Sequence, residues 1–175
     1  MTVRGLALDP VTNAPIVILK TEGGARLLPI WIGLFEANAI ALEMEKIGTP
    51  RPMTHDLLKN MIDLLDARME RMVVDNLEEN TFFASIYLRR DGREHRLDAR
   101  PSDAIALALR TGAPIFVTED VLARSRGIEV DEDLGEADQW RQWIDHITPA
   151  DFARNSPGGA DPGTDDRERT DRADG

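Results

Sequence analysis

At 175 residues and 19.5 kDa the chain is about one domain's worth, so one core with a tail is expected and two large domains are excluded. Hydrophobic residues make up 42%, enough for a real core, while 32 acidic against 21 basic residues leave a net charge of −11. That balance excludes coating of nucleic acid by a global positive field and polybasic membrane binding, so any anion contact has to be local. With no cysteine, disulfides, thiolate zinc sites and cysteine nucleophiles are out. No apolar run approaches the roughly 18–20 residues of a membrane span, and the first residues carry no cleavable apolar signal, so a cytoplasmic protein with no membrane partner is the expectation.

In chain order, residues 3–8 and 14–20 read as strands, Thr21-Glu22-Gly23-Gly24 as a turn, and 26–32 as the returning strand. Residues 34–47 are rich in helix formers and precede Gly48, where a left-handed residue would end the helix. Thr54 then looks like the N-cap of a second helix, whose Leu57, Leu58, Met61, Leu64 and Leu65 recur at three-to-four spacing and make it amphipathic. Strands follow at 72–76, 81–90 and 93–99, with Asp91-Gly92 as the clearest hairpin signal in the chain. A third helix runs over 102–111 and stops at Gly112; 114–117 is a short strand; Thr118 caps a helix to about residue 125; and 136–147 is a closing helix carrying Trp140 and Trp143. Strands and helices are mixed rather than strictly alternating, which predicts an α+β fold with a mixed or antiparallel sheet. From Ser156 onward no large apolar residue remains, so 1–153 is read as the domain and 154–175 as a disordered acidic tail.

The two halves echo each other. The run Ala-Ile-Ala-Leu at 39–42 recurs at 104–107, Gly48-Thr49-Pro50 answers Gly112-Ala113-Pro114, and Thr54-His55-Asp56-Leu57-Leu58 answers Thr118-Glu119-Asp120-Val121-Leu122. Order and spacing agree, which reads as a duplicated hairpin-helix-helix unit over about 14–65 and 82–125. The copies differ where the first holds Arg51 and His55.

Those differences draw attention to chemistry. Arg51, His55 and Asp56 stand at a predicted helix start, where free N–H groups and the positive end of the dipole attract anions. His55 is the natural proton carrier near neutrality and Arg51 a bidentate phosphate ligand; the plain alternative is a capped helix start. Further on, alternation puts Arg96, Asp98 and Arg100 on one strand face leading into Ser102 and Asp103. Carboxylates from Asp56, Asp98 and Asp103 offer oxygen ligands for Mg²⁺ or Mn²⁺, with Arg100 and Ser102 on a substrate phosphate. The alternative is that Ser102 caps the helix and Arg100 pairs with a neighbouring acid. Glu36, at the start of the equivalent first helix, is a further catalytic carboxylate or simply a complement to the helix dipole. The arginines of 89–96 form a basic hairpin that either follows a nucleic-acid backbone or is an ordinary charged turn.

No P-loop, HExxH or GxSxG motif occurs, and the three histidines are far apart in sequence. The combination of Pro29-Ile30-Trp31-Ile32-Gly33, Arg51-Pro52-Met53-Thr54-His55-Asp56 and Arg100-Pro101-Ser102-Asp103-Ala104 resembles the bifunctional nuclease domain family over about residues 1–153. The resemblance implies an α+β domain that degrades RNA and DNA with little sequence preference, and it carries the family's motif positions onto Glu36, Arg51, His55, Asp56, Arg100, Ser102 and Asp103. The expectation is therefore a phosphodiester hydrolase, His55, Asp56, Asp103 and Glu36 catalytic, acting on RNA or DNA as a homodimer. A non-catalytic regulatory oligomer that binds an anion or a partner protein is the rival, and the net charge favours it.

Overall fold

The computed structural model describes residues 1–23 and 26–125 and the backbone of 128–129. Its elements are β1 (Thr2–Leu8), β2 (Pro15–Lys20), β3 (Arg26–Trp31), α1 (Leu34–Met44), α2 (Thr54–Leu64), β4 (Arg68–Glu78), β5 (Thr81–Arg90), β6 (Arg93–Ala99), α3 (Pro101–Thr111), β7 (Ile115–Val117), α4 (Glu119–Arg124) and β8 (Ile128–Glu129). They form two four-stranded sheets, ordered β1-β2-β3-β8 and β6-β5-β4-β7. All pairings are antiparallel except β4 with β7, so the fold is α+β with one antiparallel and one mixed sheet. The closing helix expected at 136–147 and the tail lie outside the described residues.

Local chemistry explains the hairpins. Asp91 and Gly92 both take positive φ, 49° and 74°, the two-residue turn whose twist matches the strands it joins. At the other hairpin the Thr21 hydroxyl accepts from the Arg26 N–H at 3.0 Å and closes the loop. A third device escapes the sequence reading: buried Asp9 accepts from the Val11 and Thr12 N–H groups and from the Trp31 indole, tying the β1–β2 turn to β3.

Several boundaries move, each for a local reason. β4 is longer than the expected 72–76, because register shifts between Met69 and Arg71 and between Val74 and Asn76 break the apolar alternation. α1 ends before residue 47. The left-handed residue is Lys46, φ 54°, rather than Gly48, and Ile47 N–H closes the end on Leu42 C=O. α2 is capped by Met53 and α3 by Arg100, so Thr54 and Ser102 are helical residues, not caps. Thr118 does cap α4, accepting from the Val121 N–H.

The two halves share the order of three antiparallel strands followed by helices. They part after the first helix: Pro114 leads into β7, which joins the sheet beside β4, whereas no strand follows Gly48 before α2. A common order of elements is therefore what the structure supports, and the duplication itself remains a reading of the sequence.

α3 is the hub. It packs against α1, α2, β4 and β5, and its run Ala104, Ile105, Ala106, Leu107, Ala108 is buried without interruption, the pattern of a helix covered on several sides. Its alanines let neighbours approach, and Ile105 joins Ile40, Val17, Leu19, Met72 and Val74 in a core drawn from both sheets. Ile105→Ala should cost roughly 3 kcal/mol in denaturant unfolding by leaving a cavity there, while Leu8→Ala, at 59% exposure, should stay within about 0.5 kcal/mol. Equal losses would contradict the placement of the core.

Candidate active site

Three helices begin close together, and each carries an acid at its third helical position: Glu36 on α1, Asp56 on α2 and Asp103 on α3. A carboxylate there suits the positive end of the helix dipole and folds back toward the cap residue. Asp56 Oδ2 accepts the Met53 N–H at 2.9 Å. Glu36 folds back over Gly33, its carboxylate lying where a Cβ at that position would stand. Asp103 takes the guanidinium of its own cap residue, Arg100, through Nε at 2.7 Å and Nη2 at 3.1 Å.

Cations then join the starts to one another. Arg100 Nη2 also reaches Glu36 Oε1 at 2.7 Å, bridging α3 to α1. His55 Nε2 lies 3.1 Å from Asp103 Oδ1, bridging α2 to α3. Its side chain is only 9% exposed, and its Nδ1 makes no hydrogen bond among the described residues. Burial pushes the Asp103 carboxyl up, but hydrogen bonds from Arg100 and His55 outweigh it and hold the group below the usual carboxylate range.

Arg110 escapes the sequence reading entirely. Its side chain, 4% exposed, donates from Nε to Asp56 Oδ1 at 2.6 Å, from Nη1 to Ala106 C=O at 2.9 Å and from Nη2 to Ala39 C=O at 3.1 Å. One guanidinium thus holds α1, α2 and α3 together. Only its place in the last turn of a helix is legible from sequence; that its fork reaches 54 residues back to Asp56 requires the fold.

The sequence candidates divide accordingly. Glu36, His55, Arg100 and Asp103 meet in one network, and Asp56 sits beside it, held by Arg110. Arg51 is exposed two residues before the α2 cap, and no side-chain hydrogen bond or ion pair of its guanidinium occurs among the described residues. Ser102 is buried with its hydroxyl unpartnered among the described residues. Asp98 stays on exposed β6, opposite Ser85. Among the described residues no three His, Asp or Glu side chains are grouped to hold a metal ion, so Asp56, Asp98 and Asp103 do not form the ligand set expected of them. The basic hairpin is neutralised in part: Arg89 pairs with Glu70 and Arg96 with Asp75 at 2.9 Å, while its own Glu94 is taken by Arg71 of the neighbouring strand at 2.7 Å.

Asp56 is held below the ordinary carboxyl range first by the Arg110 hydrogen bond and then by the Met53 N–H. A depressed folded value stabilises the fold above the unfolded carboxyl value of about 4, and that contribution is lost as pH falls through the lower folded value. Arg110→Met should therefore cost roughly 3 kcal/mol at pH 7, by stranding a carboxylate and two carbonyl contacts, and the penalty should shrink by about pH 3. A penalty independent of pH would contradict the role given to this ion pair.

Comparison with known proteins bears on the family. The bifunctional nuclease domain profile matches residues 17–130. An uncharacterized protein of Mycobacterium tuberculosis is 38% identical over 159 residues, covering 86% of this chain and 95% of its own length. Bifunctional nuclease 1 of Arabidopsis thaliana is 31% identical over 133 residues, 74% of this chain and 41% of the plant protein. Bifunctional nuclease 1 of Oryza sativa subsp. japonica is 26% identical over 125 residues, 70% of this chain and 38% of its own. The match thus spans only about two fifths of these plant proteins. With the profile covering most of the described chain and the site motifs inside it, the chain belongs to the bifunctional nuclease domain family.

Proposed function

We propose that this chain is a nuclease that hydrolyses phosphodiester bonds in RNA, DNA or both with little sequence preference, working in the cytoplasm as a homodimer. The observation that carries the reading is the His55–Asp103–Arg100–Glu36 network at the helix starts, on the motif positions of a family whose plant relatives are named nucleases.

Each residue has a chemical part. Asp103 accepts from His55 Nε2, which fixes the imidazole and leaves the Nδ1 lone pair to take a proton from an attacking water and return it to the leaving oxygen. Arg100 is 67% exposed and shared between two carboxylates, so a phosphate can replace Glu36 on the outer edge of its fork. Arg51 adds a second guanidinium for the backbone of the nucleic acid. Asp56, locked by Arg110, sets the start of α2 and hence the place of His55. Because the carboxylates do not assemble a ligand cluster, no step is routed through a metal, and Mg²⁺ or Mn²⁺ enters as a variable of the assay.

The rival reading, a non-catalytic regulatory domain that binds an anion or a partner protein, is favoured by one observation. Glu36, His55, Arg100 and Asp103 already pair with one another, and the Asp56–Arg110 pair borders a hollow of about 370 Å³ that also presents Lys46 and Thr49. The two readings separate in cleavage of fluorescent single-stranded RNA and DNA by wild type, His55→Ala and Asp103→Ala purified identically, with Mg²⁺, Mn²⁺ or chelator. The nuclease reading predicts a fall of about 100-fold or more in kcat/KM for His55→Ala. Equal activity in all three proteins, or none in wild type, would favour the regulatory domain.

A further inference from the structure

The amphipathic character expected of α2 is present, but its apolar side points away from the core. Leu57 is 55% exposed, Leu58 41%, Met61 49%, Leu64 82% and Leu65 49%, while the helix buries His55 against α3 instead. On a helical wheel these five residues fall within one arc on both sides of Met61, next to the face that meets α3. Five large side chains at such exposure present on the order of 500 Å² of mostly apolar surface, in the upper part of the range of the largest patch on a folded monomer, and such patches are often functional.

We propose that this face of α2 is the surface on which two copies of the chain associate, α2 against α2 about a twofold axis. The patch is apolar and lies on one straight helix, so it is complementary to itself across such an axis. Fully buried on both copies, it contributes about 1,000 Å² in total, the lower bound for a specific interface. The β6 edge is a poor competitor for this role, because it carries Arg93, Glu94, His95 and Arg96 and is protected by charge. The chain's own apolar stripe at Trp140, Trp143, Ile144 and Ile147 is the other conceivable cover. Yet α2 lies inside the 17–130 span shared by the family and that stripe lies beyond it. Moreover, the described chain leaves at Glu129, paired with Arg26 at the edge of the first sheet, whereas α2 packs on α3 and β4 of the second.

The test needs no catalytic activity, so it stands apart from the nuclease reading. The mass of the full chain is followed by multi-angle light scattering from about 1 to 100 µM for wild type, Met61→Asp, Leu64→Asp and, as a control on another exposed apolar residue, Leu97→Asp. Wild type and Leu97→Asp should run at twice the 19.5 kDa chain mass, and both α2 variants at the single mass. The α2 variants should keep wild-type circular dichroism, because Met61 and Leu64 are exposed in the isolated chain. A wild type that stays monomeric at 100 µM overturns the proposal and hands the face to the chain's own stripe. Dimeric Met61→Asp and Leu64→Asp overturn it too, placing the interface elsewhere.

Discussion

Unpaired N–H groups at the start of a helix attract negative charge, and three helices of this protein answer with an acid at the same position, Glu36, Asp56 and Asp103. Packing those starts against one hub helix leaves each carboxylate partly screened from water and set beside a cation, Glu36 and Asp103 sharing Arg100 and Asp56 taking Arg110. Arg100, Arg110 and His55 are those cations or proton carriers, and each bridges from one helix to another. The polar bonds of the site are thus also tertiary contacts of α1, α2 and α3, beside the apolar core that Ile40 and Ile105 share.

The two arginines divide the work by exposure. Arg110 is buried and fully engaged, so it fixes how the helices meet; Arg100 is mostly exposed and can exchange one carboxylate partner for another anion without disturbing the core. Arg100 is thus an exposed local cation in a chain of net charge −11. The arginines of the β5–β6 hairpin look like the more obvious landing site in sequence, but Glu70 and Asp75 already claim Arg89 and Arg96.

Much of this was legible before the fold. Asp91-Gly92 specified its turn because only two consecutive left-handed residues fit there, and Gly112 specified the end of α3 for a similar reason. Glu36, His55, Arg100 and Asp103 could be singled out because they stand at helix starts, where charge has a local use as well as a chemical one, so the sequence alone left both readings open. What sequence could not show was pairing over distance. Nothing local ties Arg110 to Asp56, or makes the leucines of α2 face outward, since an apolar stripe has the same period whether it meets a core or another molecule. The caps of α2 and α3 were missed because Met53 and Arg100 are not cap-forming residues; at α2 the acid three positions on, Asp56, takes the cap residue's N–H, and at α3 Asp103 takes the cap residue's guanidinium.

The central claim is that Asp103 orients His55 through Nε2 and leaves Nδ1 as the working nitrogen. Long-range ¹H–¹⁵N correlation of the histidine rings, with His55 assigned by His55→Gln, measures that directly near neutral pH. The account predicts the neutral His55 ring protonated on Nε2, and a shift toward a mixture of tautomers in Asp103→Ala. A ring protonated on Nδ1, or a tautomer that does not respond to loss of Asp103, would contradict it.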